Sequence, residues 1–244
     1  MKPRIKPRWN LTPREAIKEQ QRLRERVVLE DDFKHVRRVA GTDLAFDPAT
    51  NIAFAGVIVY RFPEMQEVER RMARRKLRFP YVPGLLSFRE GPALLAVFAR
   101  LRSEPDLILI DGHGRAHPRL FGIASHIGVL LDKPTIGCAK SLLVGEHDDL
   151  GESAGSTMPL WFKGERVGEV LRTRNKVKPI YVTTGHRVSL DSAVELVKAC
   201  LDGFRIPRPT READHYVRKV RREYQRKENQ KAKGKNQKAK VQRP

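Results

Sequence analysis

Asp43, Glu90 and Asp111 are the acidic residues whose settings could do chemistry. Asp43 follows Gly41-Thr42 inside a stretch rich in β-formers, and Asp111 ends the uninterrupted apolar run of residues 107–110. An isolated carboxylate is expensive to bury in such places, so a compensating cation is expected. A hard divalent cation such as Mg²⁺, held by one or two carboxylates plus a substrate phosphate, meets that need. Each acid also has a plain structural use. Asp111 could form a turn, and Glu90 stands three residues after Ser87, where a capping box would place it. Lys140 closes a short apolar stretch in Gly137-Cys138-Ala139-Lys140-Ser141. It either reaches solvent from a strand end or sets a fixed positive charge beside a scissile phosphate. His117 and His126 flank a Gly-rich loop and the helix after it, and His215 opens the last helix. A histidine within a helix is more often a hydrogen-bonded packing residue than a ligand.

The elements that must position these residues follow from periodicity and punctuation. Thr12-Pro13-Arg14-Glu15 is a capping box with Pro at the first helical position, which predicts a mostly polar surface helix to about Val27. Residues 36–46 and 52–60 read as strands of a hairpin joined by Asp47-Pro48-Ala49-Thr50-Asn51. The second strand is apolar on both alternating faces, as a strand covered on both sides should be. The Arg-rich segment 65–77 fits a third strand of a meander. A helix from Ser87 carries Leu94, Leu95, Phe98 and Leu101. The strand at 107–110 then opens into Asp111-Gly112-His113-Gly114, the usual place for a site in an α/β sheet.

Beyond that loop, a helix presents Ile123, Ile127, Leu130 and Leu131, and a short strand spans 134–138. Residues 144–160 read as a loop. Strands at 167–172 and 180–184, a Ser189-capped helix and a last helix from Thr210 complete the domain, residues 1–217. The basic tail, 218–244, starts as helix and is expected to be disordered from Lys231. Together these elements predict an α/β chain with a mixed sheet flanked by helices.

Charge supplies the partner. The net charge is +20, and residues 218–244 hold 12 Lys or Arg against two Glu, so +10 remains on the rest of the chain. Such an excess attracts polyanions and releases counterions from nucleic acid. No apolar run approaches the roughly 20 residues of a membrane span, and no secretory signal is present, so a cytoplasmic protein is expected. Cys138 and Cys200 lie far apart in apolar contexts and read as core residues.

Gly41-Thr42-Asp43, Phe79-Pro80-Tyr81-Val82-Pro83-Gly84, Ser87-Phe88-Arg89-Glu90, the block from Asp111 to Arg119 (Asp-Gly-His-Gly-Arg-Ala-His-Pro-Arg) and Gly137-Cys138-Ala139-Lys140-Ser141 occur in one order and spacing. That set resembles the endonuclease V family over roughly residues 36–217. The resemblance implies a ribonuclease-H-like fold, a mixed central sheet with helices on both faces. It implies that Asp43, Glu90 and Asp111 bind Mg²⁺, with Mn²⁺ able to substitute, and that Lys140 assists at the phosphate. The implied reaction is hydrolysis of the second phosphodiester 3′ to a deaminated adenine, leaving a 3′-hydroxyl and a 5′-phosphate. The implied partner is inosine-containing DNA, or RNA, with no small-molecule cofactor and a monomeric enzyme.

Recognition follows the same resemblance. Pro80 and Pro83 stiffen the loop carrying Tyr81 and Val82, and an aromatic on a stiff loop can fill the gap left when a base leaves the stack. The alternative is a Pro-Tyr-Val-Pro turn packed on the core. Leu86, Gly112, Ile123 and His117 are the expected lining of a hypoxanthine pocket, with His126 and His215 as accessory candidates. Two features exceed what the family requires: the Arg-rich run 65–78 and the long basic extension after Arg218. A ribonuclease-H-like nuclease of another specificity and a non-catalytic basic nucleic-acid-binding protein are the competing readings. The second gives no reason for acids at buried strand ends of so basic a chain.

Overall fold

A strand that is apolar on both faces needs cover on both sides, and the architecture supplies it. The computed structural model describes the backbone of residues 1–241 and the side chains of residues 1–231. Strands β1 (Arg38–Asp47), β2 (Ile52–Arg61) and β3 (Gln66–Lys76) form an antiparallel meander, with Asp43 opposite Gly56. β1 also pairs in parallel with β4 (Leu107–Ile110), and β4 with β5 (Thr135–Ala139). Strands β6 (Thr157–Phe162), β7 (Glu165–Leu171) and β8 (Ile180–His186) run antiparallel to their neighbours and join β5 through β8. The sheet order is β3-β2-β1-β4-β5-β8-β7-β6.

Helices α1 (Pro13–Arg24), α2 (Leu86–Phe98) and α3 (Ile123–Leu131) cover one face, and α4 (Leu190–Ala199) and α5 (Arg208–Val241) the other. Two apolar cores result. One gathers Ala55, Val57 and Ile108 under α2 and α3, and the other gathers Ile58, Leu107, Leu109 and Ile136 under α4 and α5. This is the mixed, doubly covered sheet that the resemblance implies. Among the described residues, no helix is long and apolar enough to cross a membrane.

Several expectations need correction. α1 keeps its Thr12 capping box, but it is not a surface helix: Ala16, Glu19, Gln20 and Leu23 are buried, because one face docks beside α3. α2 starts at Leu86 rather than Ser87 and ends at Phe98, so Leu101 lies outside it. Ser87 therefore caps nothing. Its hydroxyl meets His126 Nδ1 at 2.8 Å, which leaves Glu90 free of a capping box.

The stretch 144–160 is not loop throughout, since β6 begins at Thr157. Pro159 hides this strand, and it is tolerated because β6 is the sheet's edge. The expected border between residues 217 and 218 falls inside α5, which stays docked through Gln225, whose amide donates to Asp47 at 2.8 Å. The helix assigned to α5 extends to Val241. The Lys, Ala and Gln of this stretch are all good helix formers. Residues 242–244 lie outside the described part.

Candidate active site

β1 and β4 lie side by side, so Asp43, within β1, and Asp111, immediately after β4, reach the same end of the sheet. Lys140 follows β5, the next strand over. Its ammonium nitrogen hydrogen-bonds the Asp111 carboxylate and stands 3.9 Å from Asp43 Oδ2. One cation thus already bridges the two acids, which places them within reach of a shared ion. Glu90, on the first turns of α2, opens into the same cavity of about 450 Å³.

Electrostatics mark this cluster as unfinished. Burial pushes the Asp43 carboxyl up to about 8, and Asp111 adds to the rise against the opposing pull of Lys140. Glu90 is likewise pushed up to about 8, by burial first and then by Asp111. Burial lowers the Lys140 ammonium, but Asp111 and Asp43 outweigh it and hold its pKa above the usual lysine range. Among the described residues, no three His, Cys, Asp or Glu side chains converge into a complete metal cage. A cage is not required. Two hard carboxylates facing a cavity open to a phosphate suit Mg²⁺, which keeps several waters, and a divalent cation there would let these buried acids ionise.

Asp214 joins the cluster and has no counterpart among the residues picked from the sequence. It shares a hydrogen bond with Asp43 and is held by Arg218 Nε at 2.6 Å. Burial raises its carboxyl, but the Asp43 hydrogen bond and Arg218 outweigh burial and keep it below the ordinary aspartate range. Gly41 makes this possible. A Cβ there would lie 2.0 Å from the Pro209 carbonyl carbon, so only glycine lets α5 start against β1. The available signal was slight: Asp214 sits beside Ala213 and Val217, the buried stripe of α5.

The Phe79–Gly84 loop closes one wall. Tyr81 is 73% exposed at the cavity rim, while its neighbour Val82 packs against the buried cluster of Phe79, Leu85 and Phe88. Gly84 adopts a left-handed backbone with φ +75°, and its carbonyl is clamped three times. Gln20 Nε2 donates at 3.0 Å, Arg119 Nη2 at 2.5 Å, and His117 Nε2 lies at 3.0 Å. Arg119 Nε also donates to Gln20 Oε1, so α1, the Asp111–Arg119 block and the Tyr81 loop form one hydrogen-bonded unit. Gln20 was missed, although a polar residue on the buried stripe of Ala16 and Leu23 is the kind of exception that signals a task.

Val82, Pro83, Leu86, Gly112, His117 and Ile123 all line the cavity with the acids, and so do His113, Ser141 and Leu143. His117 Nδ1 accepts the Arg119 amide, and burial pulls its pKa down to about 4, so it is neutral and structural at pH 7. Three candidates do not join. Pro80 is exposed outside the lining, and His215 is exposed on α5. His126 is packed among Trp9, Phe88 and Phe121 with its pKa pulled down to about 3 by burial, which makes it a core residue.

Comparison with known proteins gives the family. The Endonuclease V family model matches residues 21–215. The endonuclease V of Gloeobacter violaceus is 51% identical over 217 residues, 88% of each chain. The crystal structure of endonuclease V from Streptomyces avermitilis is 41% identical, with a TM-score of 0.85, covering 92% of this chain and all of its own. That of Ciona intestinalis, in complex with a 24mer DNA containing an inosine followed by a ribo-adenosine, is 30% identical with a TM-score of 0.77, covering 86% and 98%. Half the positions of one relative and nearly the whole backbone of another coincide with a chain whose buried acids and lysine meet at one open cavity; it belongs to the endonuclease V family and is an endonuclease.

Proposed function

We propose that the chain finds inosine in DNA and hydrolyses the second phosphodiester on its 3′ side, leaving a 3′-hydroxyl and a 5′-phosphate. Asp43, Asp111 and Glu90 are the proposed holders of Mg²⁺, with Mn²⁺ able to replace it. The observation that carries this reading is the juxtaposition of Asp43, Asp111 and Lys140 in one open cavity whose rim bears an exposed tyrosine. A divalent cation held by these carboxylates would lower the pKa of a water and neutralise charge on the phosphate. Lys140 fixes a positive charge beside Asp111, where a scissile phosphate would lie. Tyr81, stiffened by Pro80 and Pro83 and seated by Val82, fills the gap in the stack. The flipped base enters between Leu86, Gly112 and Ile123, over a floor that His117 ties down.

Residues 1–217 form the proposed catalytic unit, and α5 beyond Arg218 is its basic extension. Inosine- and adenosine-containing oligonucleotides of one sequence, incubated with Mg²⁺, test the reading. Cleavage only beside inosine is expected. Cleavage regardless of the base would assign a nuclease of other specificity, and binding without cleavage would remove catalysis altogether.

A further inference from the structure

The positive charges of β3 divide into two halves that behave differently. In the first half, Arg70 pairs with Glu67 and Arg71 pairs with Glu69 at 2.7 Å. In the second half, Arg74, Arg75 and Lys76 are exposed, Arg78 follows just beyond the strand, and among the described residues no carboxylate pairs with any of them. Arg74 leans over the Tyr224 ring of α5. A groove of about 390 Å³ on the α2 side is lined by Arg75, Lys76, Arg78 and Arg89, with Trp9 and Phe79 in its wall. Four cations and no acid line this groove. Arg89 is engaged by the Phe79 carbonyl and the Phe46 ring, whereas Arg75, Lys76 and Arg78 repel one another with no carboxylate partner among the described residues, so they call for an anionic occupant.

The groove adjoins the cavity described above. Phe79 lines the groove and Tyr81 lines the cavity, two residues further along the chain. Arg89 lines the groove while Glu90 lines the cavity, and Arg89 Nη1 donates to the Phe79 carbonyl at 2.9 Å, which fixes the partition between the two. Two residues of extended chain span at most about 7 Å. A duplex strand carries a phosphate about every 3.4 Å of rise, so a strand passing Tyr81 reaches the groove within a few nucleotides.

We infer that Arg75, Lys76 and Arg78 bind the phosphodiester backbone of the nucleic acid on one flank of the lesion, the flank that passes Tyr81. This rests on the proposed inosine-directed reading for its orientation and adds a binding subsite outside the catalytic cavity. The three side chains act as point charges on phosphates, so they contribute affinity and register without reading sequence.

The test is binding of duplexes with a single inosine across a salt series, with no divalent cation, for the wild type and the triple variant Arg75→Gln, Lys76→Gln, Arg78→Gln. The slope of log affinity against log salt should fall in magnitude by about two to three, near one per lost phosphate contact. Low-salt affinity should fall by about tenfold or more. The loss should vanish when the duplex is cut to two base pairs on one flank of inosine, and persist when the other flank is cut. Cleavage at saturating substrate should be unchanged. An unaltered slope overturns the proposal, and so does a loss indifferent to which flank is cut, since that is a diffuse field rather than a subsite. Should the triple variant melt early, Arg78→Gln alone carries the test, with a slope change of about one. If the wild type does not prefer inosine over adenosine, the function reading fails, while the slope comparison still decides the groove.

Discussion

Two buried acids whose pKa values are pushed far above the ordinary carboxyl range make a prediction about stability. Asp43 and Glu90 rise from ordinary values of 3.8 and 4.5 to about 8 in the fold, by burial first and then by Asp111. A folded pKa above the unfolded one stabilises the protein below the unfolded pKa and loses that contribution as the pH rises through the folded value. In divalent-free buffer the melting temperature should therefore fall between about pH 4 and pH 8, and Asp43→Asn or Glu90→Gln should flatten that fall. Adding Mg²⁺ should restore stability most at the upper end, because ionised carboxylates bind it and the protein releases protons as it does so. A profile that neither substitution changes contradicts this. Asp43→Ala and Asp111→Ala should each remove several kcal/mol of transition-state stabilisation, about a thousandfold in cleavage rate, with nucleic-acid binding largely kept. Retained cleavage in either variant counts against its role. Asp111 and Lys140 could be picked from the sequence because they follow apolar strands and Asp43 because it stands inside one, where a charge is costly, while Glu90, on a helix, stood out by the motif it shares with the family. Asp214 could not, because an acid on a charged helix gives no sign that Gly41 brings the helix against β1.

At the scale of elements, the Tyr81 loop is only as well placed as its clamp. Gln20→Leu removes donors to the Gly84 and Phe121 carbonyls, 3.0 and 3.2 Å away, inside the protein. The expected cost is about 1–3 kcal/mol of stability. A lowered preference for inosine should accompany it, in the direction that Tyr81→Ala produces directly; a preference that survives both variants would show that the loop takes no part in recognition. The strands of the sheet's centre were legible because their runs are apolar on both faces, and the meander followed from its turn residues. The edge was not. β6 carries a proline and follows a Gly- and Ser-rich stretch, so local chemistry argues for loop while an open edge tolerates strand. α1 misled in the opposite way: its many charges describe its outer face, and the buried stripe of Ala16, Gln20 and Leu23 is narrow.

For the whole molecule, charge is the organising quantity. The excess of +20 was plain in the sequence, but its division in space was not, since pairing within β3 and the course of α5 are properties of the fold. Removing residues 228–244 should lower affinity most at low salt and shrink the salt dependence while leaving the docked part of α5, through Gln225, in place. An unchanged salt dependence would make the extension a bystander. The central claim is that Asp43 and Asp111 hold a divalent cation against the phosphate that is cut. It is tested most directly by placing one phosphorothioate diastereomer at a time at the scissile linkage of an inosine strand. Sulfur is a poor ligand for Mg²⁺ and a better one for softer metals, so one diastereomer should be cut slowly in Mg²⁺ and recover in Mn²⁺. Cleavage without any divalent cation, or no difference between the metals for either diastereomer, would contradict it.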